Sequence, residues 1–190
     1  MLDAQAAAQL GEGPQGTEEH AVLLAAALAA RALDETRGVG LIAFGREPRV
    51  VPPALGAGQQ WNILRALALL RADGDTDLRR TLQELGDIAR RGSAAIIITP
   101  TAEANWLPQL AHLARRGLES HVLLLDRPSF GGEGNSEALR AAIALLGFRG
   151  HVVRRGELGR PLVEDERHGY WEFMVTGTGR AVAVRRPLDH

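Results

Sequence analysis

Few residues in this sequence are spaced for chemistry. The segment RPSFGGEGN, residues 127–135, sets a hydroxyl, Ser129, and a run of glycines between an apolar stretch and a helical one. A loop of that kind at a helix N-terminus can cradle phosphate with its backbone amides. The G-x-G-x-x-G spacing is absent and no lysine follows, so the segment reads as a strand–helix connection. Ser129 is not in a G-x-S-x-G elbow, which argues against a hydrolase triad. His20, His112, His121, His151, His168 and His190 form no His-x-x-x-His or His-Glu-x-x-His pair and read as isolated surface or capping groups. The acidic run EDER, 164–167, reads as a solvated loop. In AAIIITPTAEANW, 94–106, an apolar run ends in Thr99-Pro100-Thr101 and is followed by Trp106. Open α/β sheets bind ligands outside the C-terminal ends of their strands. Trp106, Thr99 and Thr101 are therefore the candidate interaction residues. The competing reading of Trp106 is a helix-start residue packed against the loop.

Two absences exclude more than any motif admits. The chain has 190 residues and no cysteine, which removes disulfides, thiolate metal sites and cysteine nucleophiles. All 22 basic residues are arginine. Without lysine there is neither a Walker A phosphate contact nor a Schiff base. The net charge of -1, with no basic cluster beyond arginine pairs, argues against nucleic acid as a partner. The apolar runs fall short of the ~20 residues that span a bilayer, so no membrane contact by this chain is expected. The opening MLDAQAAAQLGEG does not read as a signal peptide. At 45% hydrophobic, the length suits one α/β domain with its own core.

The elements that must position these residues alternate along the chain. VGLIAFG (39–45), AAIIIT (94–99) and HVLLLD (121–126) are near-continuous apolar runs, as expected of parallel strands covered on both faces. HVVRR (151–155) is half polar and belongs at an edge. PRVVP (48–52) reads as a short antiparallel edge strand limited by its prolines. Helical spacing marks 17–33, 59–72, 77–91, 106–116 and 136–146. Thr17, Thr76, Asn105 and Ser136 are the expected N-caps, Pro108 falls in a first turn, and Gly147 closes the last helix. Such alternation predicts a doubly wound, mostly parallel sheet. The tail, with two alternating runs around TGTG in 170–186, predicts a C-terminal β-hairpin after a polar loop. The expected division is 1–156 for the α/β domain and 157–190 for loop and hairpin.

In order, TEEHAVLLAAALAARAL, GVGLIAFG, QQWNILRALALLRADGDTDLRRTL, AAIIITPTAEANW and VLLLDRPSFGG resemble the bacterial "domain of unknown function 58" family, a von Willebrand factor A-like domain. The resemblance covers roughly residues 1–156. It implies a sheet of order 3-2-1-4-5-6 with the first strand in the middle. Only MLD stands where that strand would end, so the chain is expected to be an N-terminally truncated fragment that lacks most of it. VGLIAFG and AAIIIT would then flank a gap one strand wide, to be filled by direct pairing or by a strand from another chain. A homo-oligomer through unpaired strand edges is one such outcome.

The resemblance also implies a Mg²⁺ site built from an Asp, two Ser, a Thr and a second Asp. Asp3 matches the first position and Thr76 the Thr. Gln5 and Ala7 stand at the two Ser positions and Pro100 at the last Asp. Asp3 and Thr76 are thus vestigial, and neither a tight metal site nor any cofactor is expected. What remains is a non-catalytic protein-interaction module, which the resemblance would set beside a MoxR-type AAA+ ATPase. Its place would be the cytoplasm, with full-length relatives anchored at the inner face of the membrane. The alternative is a small α/β hydrolase or nucleotide-binding enzyme acting at the strand ends.

Overall fold

The computed structural model describes residues 1–158 and the backbone of 172–175 and 181–185. Two compact units divide the chain, Met1–Leu158 and Gly159–His190. In the first, the apolar runs form β1 (Val39–Phe44), β3 (Ala94–Thr99), β4 (Glu119–Leu125) and β5 (Arg149–Val153), and β2 (Pro48–Ala54) returns antiparallel to β1. β3, β4 and β5 pair in parallel, with Ile97 opposite Val122 and Leu123 opposite His151. β1 and β3 are not paired with each other. Between their C-terminal ends lie Met1–Asp3, with Leu2 bridging to Ala43 on one side and to Ile98 on the other, both in parallel. The order across the sheet is β2, β1, residues 1–3, β3, β4, β5. This is the order expected of an A-like domain, with three residues standing in the position of the central strand.

Alternation along the strands separates two cores. Ala95, Ile97, Val122 and Leu124 face one way. They pack against α3 (Leu78–Ile88), α4 (Leu107–Arg115) and α5 (Ser136–Leu145) through Leu82, Leu110 and Ile143. Leu41, Ala43, Ile98 and Leu125 face α1 (Thr17–Asp34) and α2 (Ala57–Ala68), meeting Ala21, Ala29, Ile63 and Leu67. Successive side chains of a strand point to opposite faces, and here both faces are covered. Even the short central segment obeys the rule, with Met1 against the first core and Leu2 within the second.

The edge strand β2 carries Pro48, Pro52 and Pro53, and its pairing with β1 shifts register between Val39 and Leu41. The shift is stitched by the buried Gln59 of α2, whose Nε2 donates to the carbonyls of Val39 and Pro52. In the second unit, β6 (Glu172–Val175) and β7 (Ala181–Arg185) form an antiparallel pair, as the hairpin pattern requires. The TGTG turn, the EDER run, His168 and His190 lie outside the described residues.

The helix starts differ from expectation by about one residue. Asp77, not Thr76, caps α3, its Oδ1 accepting the Arg80 amide at 2.7 Å. Asn135, not Ser136, caps α5, accepting the Ala138 amide at 2.9 Å. Gly16 occupies the cap position of α1, and Thr17 is fully buried, its hydroxyl donating to Gln9 Oε1 at 2.8 Å and accepting the Leu10 amide at 2.9 Å. α4 has no side-chain cap, because the Asn105 amide turns to Glu103 instead. At α3 and α5 the winner is the side chain whose oxygen reaches an otherwise unsatisfied amide of the first turn.

Ile97 lies mid-strand in β3 and is fully buried. Ile97→Ala is expected to destabilise the Met1–Leu158 unit by about 2–5 kcal/mol. Urea unfolding followed by far-UV circular dichroism checks this, and a change under 1 kcal/mol would show that the site collapses around the deletion.

Candidate functional site

The C-terminal ends of the parallel strands form one face, and the chain reaches it by running extended from Met1 to Gln5, the first three residues within the sheet. The Met1 amine donates to Ile96 O at 2.7 Å, and the Ile98 amide donates back to Met1 O at 3.0 Å. The Leu2 amide reaches Ile42 O and the Asp3 amide reaches Ile98 O, both at 2.9 Å. Beyond Asp3 the segment docks on Gly74, whose amide donates to Ala4 O at 3.1 Å and whose carbonyl accepts the Ala6 amide at 2.8 Å. Only glycine fits there: a Cβ on residue 74 would collide with the Phe44 carbonyl and lie 2.9 Å from Gly45 Cα.

This docking puts Asp3 beneath the face, 2% exposed. Its Oδ2 accepts the Thr99 hydroxyl at 2.6 Å, and its Oδ1 accepts the Gln5 amide at 3.2 Å. The Thr99 oxygen in turn accepts the Thr101 amide at 3.0 Å. Gln9 ties the outgoing chain down, its Nε2 donating to the carbonyls of Asp3 and Gln5. Burial raises the Asp3 carboxyl above its ordinary value, and the bonds from Thr99 and Gln5 offset part of that rise. Burial also pulls the Met1 amine down to about 6.

Above this network lies a cleft of about 370 Å³, with Gln5, Asp77, Thr101, Asn105, Arg127 and Glu133 among its lining. Thr101 is half-buried at the cleft wall, and Thr99 is buried below it. Trp106 is different. It is fully buried in the first core with Leu107, Leu110 and Leu113, so it is a packing residue and not an exposed anchor. Its Nε1 has no acceptor, an arrangement that costs about 1–3 kcal/mol and is outweighed by the burial of the ring.

These residues do not fit a Mg²⁺ ion. The ion demands near-octahedral oxygens and keeps several waters, whereas both Asp3 oxygens are taken by protein donors and the carboxylate is sealed from solvent. Thr76 is outside the Asp3 network. Among the described residues no three His, Cys, Asp or Glu side chains converge as ligands. Ser129 is likewise committed, its hydroxyl donating to Asp126 O at 2.7 Å and accepting the Arg155 amide at 2.9 Å. His20 is buried in α1, where Nδ1 donates to Gly16 O at 2.9 Å and the ring stands edge-on to Phe130.

The sequence reading passed over Gln5 and Asn105 as cleft residues, and above all Arg127. Its guanidinium reaches the carbonyls of Ala8 at 2.7 Å, Glu133 at 2.9 Å and Pro100 at 3.3 Å. Arg127 opens the Gly-rich segment after β4, and that position was its one visible signal.

Two substitutions test this geometry. Gly74→Ala is expected to dislodge residues 4–6 and lower the melting temperature, while Gly92→Ala, at a glycine with open space around it but φ +82, is expected to cost only local strain. Asp3→Asn tests the buried carboxylate through pH. A carboxyl whose folded value is raised favours the folded state when protonated, so its contribution declines as pH climbs from the unfolded value to the folded one. The melting temperature of wild type relative to Asp3→Asn is therefore expected to rise as pH falls from 7 towards 4. The Met1 amine is common to both proteins and cancels. A flat or opposite difference would mean that the Asp3 carboxyl is not raised.

No curated protein matches the chain in sequence. Among solved structures, the chain is similar to the conserved hypothetical protein BatB from Bacteroides thetaiotaomicron, at 17% identity and a TM-score of 0.57, over 81% of this chain and 88% of that one. At that identity the likeness shows the fold alone. A von Willebrand factor type A protein from Catenulispora acidiphila also aligns, at 17% identity and a TM-score of 0.48, over 70% of this chain and 34% of that one. The model of the family described as "Protein of unknown function DUF58" matches residues 1–127, which takes in the central segment, β1 to β4 and the cleft lining up to Arg127. The chain belongs to that family.

Proposed function

We propose that this chain is a non-catalytic protein-interaction module that presents the face at the C-terminal strand ends. One observation carries the reading: Asp3, Thr99 and Ser129 are held in internal bonds, while a polar cleft remains open above Asp3 and Thr99. Asp3 and Thr99 bond each other, and Ser129 bonds two backbone groups. A nucleophile or general base must lie within reach of a substrate, whereas Asp3 and Thr99 are buried and Ser129 gives its hydroxyl proton to a backbone carbonyl. The cleft walls carry exposed Asn105 and Glu103, which bond each other at 2.8 Å and also face solvent, groups suited to hydrogen-bonding another protein surface.

The partner that family membership favours is a MoxR-type AAA+ ATPase, and the setting is the cytoplasmic side of the membrane. No helix among the described residues is long and apolar enough to cross a bilayer. The enzyme reading, a small hydrolase or nucleotide binder, finds no free nucleophile at Ser129.

Affinity capture of a tagged chain with a purified MoxR-type ATPase tests the proposal. Thr101→Arg and Asn105→Arg are expected to weaken capture at least ten-fold without changing the melting temperature. Trp61→Ala is the comparison. Trp61 is 74% exposed in a second groove of about 1100 Å³ between α1 and α2. Loss of capture in Trp61→Ala alone would move the interaction to that groove and overturn the assignment of the strand-end face. Mg²⁺ titration calorimetry is expected to show no micromolar binding.

A further inference from the structure

We propose that Arg127 is the positioning residue of the strand-end face, a built-in cation whose guanidinium holds three loops in one arrangement. The three loops leave adjacent positions of the sheet: Ala8 follows the central segment, Pro100 follows β3, and Glu133 lies beyond β4. Nη1 donates to Ala8 O and Pro100 O, and Nε donates to Glu133 O. All three acceptors are carbonyl oxygens, the negative ends of backbone dipoles, gathered around one delocalised charge. Bonds to an ionised donor are stronger than neutral ones, and a planar fork can serve several acceptors from a fixed position.

The neighbouring loops pack close to that fork. Gly134, at φ +140, lets the 131–134 loop approach the loop after β3: a Cβ there would lie 2.9 Å from Ala102 Cβ, and 3.6 Å from Arg127 Cδ, an ordinary contact. The 131–134 loop therefore closes on both the arginine and the loop after β3. A lysine ammonium has a single nitrogen and no second arm, so it cannot reproduce the Nε bond to Glu133 together with the Nη1 bonds.

The loop-holding role stands on geometry alone, and its bearing on partner binding rests on the reading given under Proposed function. The test is hydrogen exchange by mass spectrometry on the full chain, comparing wild type, Arg127→Met, Arg127→Lys and Arg127→Ala. Arg127→Met keeps the stem and removes the charge. Exchange is expected to accelerate about ten-fold or more together in 6–16, 100–106 and 131–135, with β3 and β4 unchanged. Arg127→Lys is expected to keep the fold and restore protection only in part. Millimolar methylguanidinium is expected to recover protection in Arg127→Ala, which a merely space-filling role would not allow. Acceleration confined to 131–135, no acceleration, or no recovery with methylguanidinium would each overturn the proposal. Capture of the ATPase is read in parallel. Loosened loops with capture retained would uphold Arg127 as the loop holder and refute the strand-end face as the binding surface.

Discussion

The first unit is held around the segment Met1–Ala6, extended as far as Gln5, which hydrogen-bonds to strands on both sides and to Gly74 beyond them. β1 and β3 do not touch as strands, so these few residues carry the lateral continuity of the sheet at its C-terminal ends. Each bond is ordinary, worth about 0.5–1.5 kcal/mol net. Their weight lies in where they fall. Leu2 is completely buried between the helices and both strands, which adds roughly 1.5–3 kcal/mol of apolar burial at the same point. α1 packs against both β1 and β3, so the helix layer spans the region where the strands stand apart.

That run also sets the polar organisation of the strand-end face. Having passed through the sheet, the chain must turn, and its buried carboxylate arrives with a donor waiting on each oxygen. Thr99 serves two purposes at once, donating to Asp3 and accepting from Thr101, so the loop after β3 is registered against the loop after the central segment. Thr17 and Gln9 extend the same logic to the start of α1. A network of this kind, fully partnered, fixes loop geometry, where a half-partnered one would be costly.

The strands were legible in the sequence because burial on both faces writes itself as an unbroken apolar run. The edge position of β2 was legible through its prolines. Helix starts were readable only to within a residue, since pairs such as Thr76-Asp77 and Asn135-Ser136 offer two competent caps and local geometry chooses. The anchor reading of Trp106 rested on its place in the chain, directly after a polar loop, and burial favours the competing reading of a packed helix-start residue. Its spacing from Leu110 and Leu113 already formed a stripe facing the core. Arg127 was beyond reach, because its partners are carbonyls, which every residue has. One of them is 119 positions away. Side-chain patterns announce burial; they do not announce which backbone oxygens a fold will gather.

The prolines of β2 carry a consequence for how molecules of this protein meet. A bordering strand normally offers free amides onto which a neighbour's strand can be laid, and this is the common seed of runaway sheet growth. Pro48, Pro52 and Pro53 have no amide hydrogen to offer, and Arg49 adds charge at the same border. Any chain attempting to add itself there would find fewer donors than acceptors. The fold thus leaves its lateral continuity to a short central segment while making its β2 margin, though not the proline-free β5 margin opposite, a poor template for uninvited strands.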